Sequence, residues 1–370
     1  MNPSTSKSFS AAKAFTRFVL LLNVLAVMGL LIAHFSSYIS PSRFWLAELT
    51  AISYPIWLII NLCFIVYWLL QFHRFILLSL VALLITYPKP ALFFQWNSST
   101  PTSTEKIKLL NYNVRLFDLY NWTGNVKTRA KIFSLLSKAD PDIICFQEYY
   151  TRDEGDFQNT RDLQKLLKAQ SHVVYGISLR KIDHWGLATF SKYPIVQRGT
   201  AIFEYGNTNF AIYTDLKIND DTIRVYNAHL QSNHLKEEDT KFLEEPDSLS
   251  NDEALKRSES ILKRLKKASI KRAAQADELK AHIDSSPYPV ILCGDFNDPP
   301  FSYTYRVLSK NLLDAFVENG RGFGVTYSGA VPFFRIDYAL HSEQLKCKSY
   351  KKINTKLSDH YPIVTEFDLE

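Results

Sequence analysis

The sequence predicts a layered α/β sandwich that follows an apolar N-terminal segment. Short apolar runs, which are typical of buried strands, are mixed with segments of helical spacing. Two further strands form an apparent hairpin around residues 219–221. Because a hairpin occurs among the helices, a sandwich with mixed strands fits better than a strictly alternating doubly wound sheet. The 370 residues suffice for one large domain or two ordinary ones.

The N-terminal quarter of the chain predicts a membrane anchor. Two runs, 18–35 and 49–70, contain no Asp, Glu, Lys or Arg, and each has close to the ~20 residues that cross a bilayer core. A third run, 75–96, is weaker because prolines 88 and 90 interrupt it, and a re-entrant or interfacial segment is the alternative. We therefore expect an anchor over residues 1–96, with two or three transmembrane helices that contact the lipid bilayer.

The flanking charges predict the orientation of this anchor. Lys7, Lys13 and Arg17 precede the first run, which favours a cytoplasmic N-terminus. Three spans would place the rest of the chain outside, whereas two would leave it inside. The expectation is a bacterial inner-membrane protein with a periplasmic soluble domain. The four cysteines show no disulfide framework, and the sequence indicates no protein partner.

A Ser/Thr-rich linker over residues 97–105 leads to the soluble domain, residues 106–370. Predicted strands cover 107–114, 143–146, 186–195, 210–216, 222–228, 290–293 and 335–340, and predicted helices cover 127–139, 160–169, 254–283 and 304–308. Residues 231–258 form a predicted insertion, of which residues 236–252 are acidic and irregular. The basic stripe 263–272 suits phosphates or anionic headgroups, although a solvated helix face is the commoner explanation.

The stretch 287–300 carries the first candidate site. Its apolar strand ends at Gly294, which permits a sharp change of direction. Asp295 and Asn297 follow, two residues apart, so both side chains point to one side of an extended backbone. A carboxylate beside an amide suits a hard cation or a phosphoryl oxygen, although an Asx turn that caps the strand is the alternative.

Polar residues end two other predicted strands. Asn113 lies near the end of the first strand of the soluble domain, on the same face as Asn111. Glu148 follows the apolar run 143–146 almost directly. A buried, unpaired carboxylate at that place would cost several kcal/mol. Glu148 therefore needs either solvent or a cation.

Five short motifs together resemble the endonuclease/exonuclease/phosphatase superfamily over about residues 106–368. They are Tyr-Asn-Val ending at Val114, Phe-Gln-Glu ending at Glu148, Asn-Ala-His-Leu ending at Leu230, Gly-Asp-Phe-Asn ending at Asn297, and Ser-Asp-His-Tyr-Pro ending at Pro362. Each motif is weak alone, but all five occur in the family's order. The resemblance implies a four-layer sandwich in which helices flank two central mixed β-sheets.

The resemblance also implies roles for eight residues. The implied metal ligands are Asn113, Glu148 and, as a candidate second ligand, Asp359, and the implied catalytic residues are His229, Asp295, Asn297, Asp337 and His360. Asp295 would deprotonate the attacking water, and Asn297 would hydrogen-bond the phosphate or that water. His360, oriented by Asp337, would donate to the phosphate, and His229 would act as general acid or phosphate contact. Mg²⁺ suits these oxygen ligands, with Mn²⁺ as a substitute.

The expected function is that of a membrane-tethered, metal-dependent phosphoesterase that hydrolyses phosphodiester bonds by in-line water attack, as nucleases do. Its partner would be a phosphate ester, either nucleic acid or phospholipid. A sphingomyelinase-like lipid phosphodiesterase and an inositol-phosphate phosphatase are the alternatives. A catalytically inactive adaptor with the same fold is a second alternative.

Overall fold

The computed structural model describes residues 3–87, 89–97, 106–202, 204, 206–233, 237–244, 250–329 and 334–369. The predicted linker lies outside these residues except for Asn97. The chain divides into two compact units. One comprises residues 1–91 and 301–303, and the other comprises residues 92–300 and 304–370.

The first unit contains four helices: α1 (Pro3–Ser36), α2 (Leu46–Ile52), α3 (Tyr54–Leu70) and α4 (Ile76–Thr86). Within α1, Lys13–Ser36 is long and apolar enough to cross a membrane. Helices α2 and α3 meet at a bend of 46° and are long enough for a second crossing only if they act as one span. The predicted third run, 75–96, is not one helix, because α4 has only 11 residues.

Buried polar side chains join the helices of this unit. Asn23 of α1 donates to the hydroxyl of Ser79 on α4 (2.8 Å) and accepts from the indole nitrogen of Trp68 on α3 (2.9 Å). Ser79 in turn donates to the side-chain oxygen of Asn61 on α3 (2.8 Å). Because apolar surroundings strengthen such bonds, these polar residues tie α1, α3 and α4 to one another.

The second unit mixes strands and helices. In chain order its elements are β1 (Phe94–Trp96), β2 (Ile107–Asn113), α5 (Thr128–Ala139), β3 (Ile143–Arg152), α6 (Asn159–Leu167), β4 (Gln170–Leu179), β5 (Asp183–Ser191), β6 (Ile195–Ile202), β7 (Ala211–Ile218), β8 (Asp221–His229), α7 (Glu237–Glu244), α8 (Asn251–Asp284), β9 (Val290–Asp295), α9 (Tyr303–Leu308), β10 (Leu313–Asp314), α10 (Ala315–Asn319), β11 (Arg321–Phe323), β12 (Asp337–His341), β13 (Leu345–Lys352) and β14 (Ile363–Leu369). The predicted hairpin is present as β7 and β8.

Two six-stranded mixed sheets form the centre of this unit. The strand orders are β13-β14-β2-β3-β5-β4 in the first sheet and β10-β12-β9-β8-β7-β6 in the second. The pairs β2–β3 and β8–β9 are parallel, and the pairs beside them are antiparallel. Each parallel pair therefore places two residues side by side where the pairing ends, Asn113 with Gln147 and His229 with Asp295.

Apolar packing makes four layers. Side chains of both sheets share one core, which includes Leu109 and Cys145 of the first sheet and Val225 and Ile291 of the second. Helices α5 and α6 cover the outer face of the first sheet, and α8 and α9 cover that of the second. The predicted four-layer sandwich is confirmed.

The predicted irregular insertion contains helix α7. Asp239 of α7 is buried and forms ion pairs with Arg257 and Arg264 of α8. Lys271 pairs with Glu204 at 2.7 Å and Arg272 pairs with Asp298 at 2.6 Å. Part of the predicted basic stripe therefore neutralises the protein's own carboxylates.

Candidate active site

Three neighbouring strands of the second sheet place acidic and basic side chains in one row. Asp337 on β12 lies opposite Asp295 on β9, and Asp295 lies beside His229 on β8. Gly294 permits the close approach of β8 and β9: its φ is +146°, and a Cβ there would lie 1.9 Å from the carbonyl oxygen of Ala228. Glycine is therefore required just before Asp295.

The first sheet contributes Asn113 from the end of β2 and Glu148 from within β3, one residue after its parallel pairing with β2 ends. The Asn113 amide nitrogen donates to a Glu148 oxygen at 3.2 Å and to an Asp295 oxygen at 3.0 Å. Glu148 lies in a β-bulge of β3 and has a φ of +47°. A bulge re-aims a side chain, which is how this carboxylate leaves the pleat and faces the other sheet. One amide thus joins carboxylates of both sheets.

The segment before β14 completes the cluster with His360. Its Nδ1 donates to Asp337 at 2.9 Å, and its Nε2 lies 3.7 Å from the carboxylate of Asp295. The hydroxyl of Ser358 accepts from the His360 backbone (3.2 Å) and donates to the carbonyl of Asn113 (2.9 Å). His360 is therefore held between two carboxylates, and its segment is attached to the first sheet.

The charges around His360 favour its protonated form. Burial alone would lower the pKa of His360, but the carboxylates of Asp337 and Asp295 raise it well above its usual value. Burial also raises the pKa of Asp337, to about 6, while the positive charge of His360 acts in the opposite direction. An imidazolium with its Nε2–H directed towards the open part of the cluster is a hydrogen-bond donor for an anion.

His229 faces the same carboxylates from the other side. Its Nδ1 lies 3.2 Å from the carbonyl of Thr208, which can only accept, so Nδ1 carries a proton. Its Nε2 lies 3.7 Å from Asp295 and 4.0 Å from Glu148. Asp295 therefore lies between two imidazole rings, and all three side chains are almost fully buried.

Asn297 lies in a turn directly after Asp295. Its φ is +55°, and its backbone N–H donates to Asp295 at 2.9 Å. Its side-chain nitrogen donates to the carbonyl of Leu230 at 3.0 Å. These are contacts of an Asx turn, which was the alternative interpretation of this stretch. The predicted contact with a phosphate or water stays a prediction.

The donor set suits a divalent cation. Carboxylates of Glu148, Asp295, Asp337 and Asp359 surround the site, and among the described residues one oxygen of Asp337 is buried without a hydrogen bond. Burial and then the charge of Asp359 raise the pKa of Tyr327 to about 12, while Asp295 and Glu148 act in the same direction. Carboxylate oxygens of Asp295 and Asp337 lie within 4.8 Å of each other. An excess of oxygen ligands and negative charge fits a divalent cation.

The predicted ligand trio is only partly assembled. Asn113 and Glu148 are in direct contact, but the carboxylate of Asp359 lies 3.4 Å from the guanidinium of Arg115. The side-chain oxygen of Asn113 accepts from the backbone N–H of Arg115 at 3.1 Å. Direct contacts join the predicted catalytic residues to Asn113 and Glu148 in one cluster. Asp359 is next to His360 in the chain, but its carboxylate pairs with Arg115.

The sequence motifs include neither Arg115 nor the turn in which it lies. Four successive residues from Arg115 to Asp118 have φ between +42° and +61°. Each left-handed residue costs about 1 kcal/mol, so the turn needs support from elsewhere. Phe117 is buried against Phe146 and Tyr149, and the Asp118 carboxylate accepts from the backbone of Thr123. Without glycine in the segment, no local signal indicated this turn.

Tyr327 is a second residue that the motifs did not include. Its ring lies 5.1 Å from that of His360 in an edge-to-face contact, and the two residues form an isolated β-bridge. The hydroxyl of neighbouring Thr326 accepts from the backbone N–H groups of Ile336 and Asp337, both at 3.0 Å. This segment thus orients both members of the Asp337–His360 pair.

Helix α8 supports the loops that follow β8 and β9. Arg272 pairs with Asp298 and donates to the carbonyl of Gln231 at 2.7 Å. Gln275 accepts from the backbone of Gln231 at 2.8 Å and donates to the carbonyl of Asn209 at 3.0 Å. None of these contacts involves a predicted catalytic residue, so α8 acts on the site through the loops.

Comparison with known proteins identifies relatives of both units. A family model described as the Endonuclease/Exonuclease/phosphatase family matches residues 110–360, more than half of the chain. A second model, for a domain of unknown function (DUF8431), matches residues 16–92. A search of curated proteins finds no match.

Two solved structures are similar in fold. An endonuclease/exonuclease/phosphatase family protein from Leptotrichia buccalis is 17% identical, with a TM-score of 0.50, and the match covers 71% of this chain and 100% of that one. An endonuclease/exonuclease/phosphatase from Beutenbergia cavernae is 15% identical, with a TM-score of 0.51, and the match covers 72% of each chain. At such identities the likeness shows the fold alone.

Proposed function

The chain belongs to the endonuclease/exonuclease/phosphatase family, and from this premise we propose that it is a membrane-tethered, divalent-metal-dependent hydrolase of phosphodiester bonds. The observation that carries the proposal is the buried Asp295, which lies between two imidazoles and accepts from the amide of Asn113. The aligned carboxylate, histidines and amide also argue against an inactive adaptor, because an adaptor would have no need of a buried charged cluster.

Asp295 is proposed as the general base. One of its oxygens is occupied by the backbone N–H of Asn297, and the other faces Asn113, His229 and His360. A carboxylate oxygen at this place can accept a proton from an attacking water. The water oxygen then bonds to phosphorus as the bond to the leaving oxygen breaks.

The two histidines are proposed to bind the phosphate. His360, protonated and oriented by Asp337, donates its Nε2–H to a non-bridging oxygen and stabilises the charge that develops there. His229 approaches from the opposite side of Asp295, where it can hold a second oxygen or supply a proton to the leaving group. Asn297 is proposed to assist through its side-chain oxygen.

Glu148 and Asn113 are the residues that would hold the metal ion, and Asp359 would add a ligand if it left Arg115. When bound, a divalent ion would polarise the phosphoryl oxygens and neutralise part of the developing charge. For Asn113 this role requires its oxygen to turn from the backbone of Arg115 towards the ion.

Membrane tethering is proposed from helix α1. Its apolar part, Lys13–Ser36, is long enough to cross a bilayer, and the bent pair α2–α3 offers a second crossing. The cations before α1 favour a cytoplasmic N-terminus, and a periplasmic catalytic unit remains our proposal for a bacterial inner-membrane protein.

The proposal is tested with the full chain in detergent micelles and the chromogenic diester bis(4-nitrophenyl) phosphate. We expect hydrolysis with Mg²⁺ or Mn²⁺ and its loss on chelation. Glu148→Gln should lower kcat/KM at least about 100-fold while the melting temperature of the metal-free protein changes little. Glu366→Gln, which removes a charge that pairs with Lys106 at 3.2 Å, is the matched control and should stay active.

Full activity of Glu148→Gln, or hydrolysis that survives chelation, would contradict the metal assignment. DNA, RNA, sphingomyelin and inositol phosphates should then be offered to the active enzyme to identify the natural ester.

A further inference from the structure

A cleft of about 700 Å³ opens beside the proposed reaction centre. Ser358, Asp359 and Tyr327 line it, and the ring of Tyr327 contacts that of His360. Trp122 and two lysines, Lys352 and Lys356, belong to the same lining. A substrate whose phosphate reaches His360 would therefore extend its remaining groups along this wall.

The two lysines of the cleft are distinguished by their lack of a counterion among the described residues, since no carboxylate there forms an ion pair with Lys352 or Lys356. Lys352 is half-buried, its ammonium lies 4.9 Å from the ring centroid of Tyr361, and burial lowers its pKa. A half-buried ammonium without a counterion is unfavourable, and an anion in the cleft would remove that cost.

The other cation that lines the cleft is already neutralised, because Arg115 lies 3.4 Å from the carboxylate of Asp359. Among the described residues that line the cleft, the positive charge without a carboxylate partner therefore lies on Lys352 and Lys356. A short anionic group fits this arrangement better than a long polyanion tracking a basic groove.

Trp122 supplies a flat apolar surface on the same wall. Its side chain is 46% exposed, and the guanidinium of Arg115 lies 4.6 Å from the indole centroid. The guanidinium holds the indole in place, and much of the surface of the indole stays exposed in the cleft. Exposed indoles stack on nucleobases irrespective of base identity.

We propose that this cleft is a second phosphate subsite, in which Lys352 and Lys356 bind another phosphate of the substrate while Trp122 stacks on a neighbouring base. This inference rests on the proposed function and assigns the substrate class: a nucleotide chain with a phosphate beyond the one that is cleaved. A diester with a single phosphate would leave both lysines without a partner.

Two substrates that differ only in that phosphate provide the test. Thymidine 5′-(4-nitrophenyl phosphate) and its 3′-phosphorylated derivative release the same 4-nitrophenol when water cleaves the aryl ester. With the full chain in micelles and Mg²⁺, we expect about tenfold higher kcat/KM for the 3′-phosphorylated compound, because charge-assisted hydrogen bonds to the lysines hold it.

The double variant Lys352→Gln, Lys356→Gln should have nearly the same kcat/KM for the two compounds, so that the ratio of the two values falls to about one. Lys351→Gln is the matched control: it removes the same charge from the neighbouring, exposed position of β13, whose side chain points to the other face. This control should keep the preference. Trp122→Ala should weaken inhibition by thymidine 3′,5′-bisphosphate, and Trp122→Phe should largely restore it.

Each outcome separates the two proposals. If Glu148→Gln is inactive on both compounds but the wild type shows no preference, the subsite is refuted and the hydrolase proposal stands. The subsite is also refuted if the double variant still prefers the 3′-phosphorylated compound. If inositol 1,4-bisphosphate or phosphatidylglycerol vesicles inhibit better than thymidine 3′,5′-bisphosphate, the nucleotide assignment is wrong.

Discussion

Replacing Asp337 by asparagine tests the proposed state of His360 directly. The asparagine would keep the size of the side chain and an oxygen that can accept from Nδ1 of His360, but it would remove the charge. The carboxylate of Asp337 lies 2.9 Å from that nitrogen, and both side chains are buried. The substitution therefore changes the electrostatics of the pair more than its geometry.

The expected size of the effect follows from the buried charge pair. Two unit charges about 4 Å apart interact by about 4 kcal/mol at an effective dielectric constant of about 20. Because 1.36 kcal/mol corresponds to a factor of ten, loss of this interaction would lower the protonated fraction or the donor strength of His360 by up to about 10³-fold. Asp295 still faces His360, so we expect a fall in kcat/KM of about 10²-fold to 10³-fold.

The pH dependence distinguishes this cause from a general loss of structure. Asp337 raises the pKa of His360, so the wild type keeps its protonated donor to high pH. Without that carboxylate the pKa falls, and the alkaline limb of kcat/KM should move to lower pH. The rate of bis(4-nitrophenyl) phosphate hydrolysis, measured between about pH 5 and pH 10 at fixed Mg²⁺, gives the pH at which kcat/KM declines on the alkaline side.

Asp215→Asn is the matched control, because Asp215 is also a buried aspartate in an ion pair. It accepts from Arg224 through both oxygens, at 2.6 and 2.8 Å, on strands β7 and β8. That variant should lose stability but keep the wild-type pH profile in its folded fraction. If Asp337→Asn left the alkaline limb in place and lowered kcat/KM less than about threefold, the proposed role of His360 as a cationic donor would be wrong.

Two further predictions concern stability. Gly294→Ala should destabilise the protein by more than about 3 kcal/mol in denaturant unfolding, because its Cβ would lie 1.9 Å from the carbonyl oxygen of Ala228 and its φ is +146°. Arg272→Met should cost about 3–5 kcal/mol, since it leaves the buried Asp298 unpaired, whereas Lys263→Met at a largely exposed position should change stability by less than about 0.5 kcal/mol.

The parts of the fold that the sequence predicts are those with local causes. Residues 290–293 form a buried strand because they are continuously apolar, and the strand ends near Gly294. The turn of Asn219 and Asp220 joins β7 and β8 because short polar residues tolerate tight turns. The predicted helix 254–283 is present as α8, which begins three residues earlier because Ser250 and Glu253 form a capping box that the sequence analysis did not use.

The parts that the sequence does not predict depend on distant contacts. The bulge at Glu148 arises between β3 and β5, and the left-handed turn at Arg115 depends on the burial of Phe117. The run 75–96 is apolar, yet its last three residues form strand β1 because they pair with β11. Asp359 follows the family's motif, but its pairing with Arg115 results from that unpredicted turn.

The site also depends on how the two sheets are held together, and a buried polar layer does this. Gln147 of β3 donates to Asn111 of β2 (2.8 Å) and to Asn227 of β8 (2.7 Å), so one side chain joins both sheets. Apolar residues in its place would pack well but would allow the sheets to slide, since apolar contacts have no preferred direction. Hydrogen bonds fix one alignment. Asn113 can reach Asp295, two residues beyond this layer on each sheet, only in that alignment.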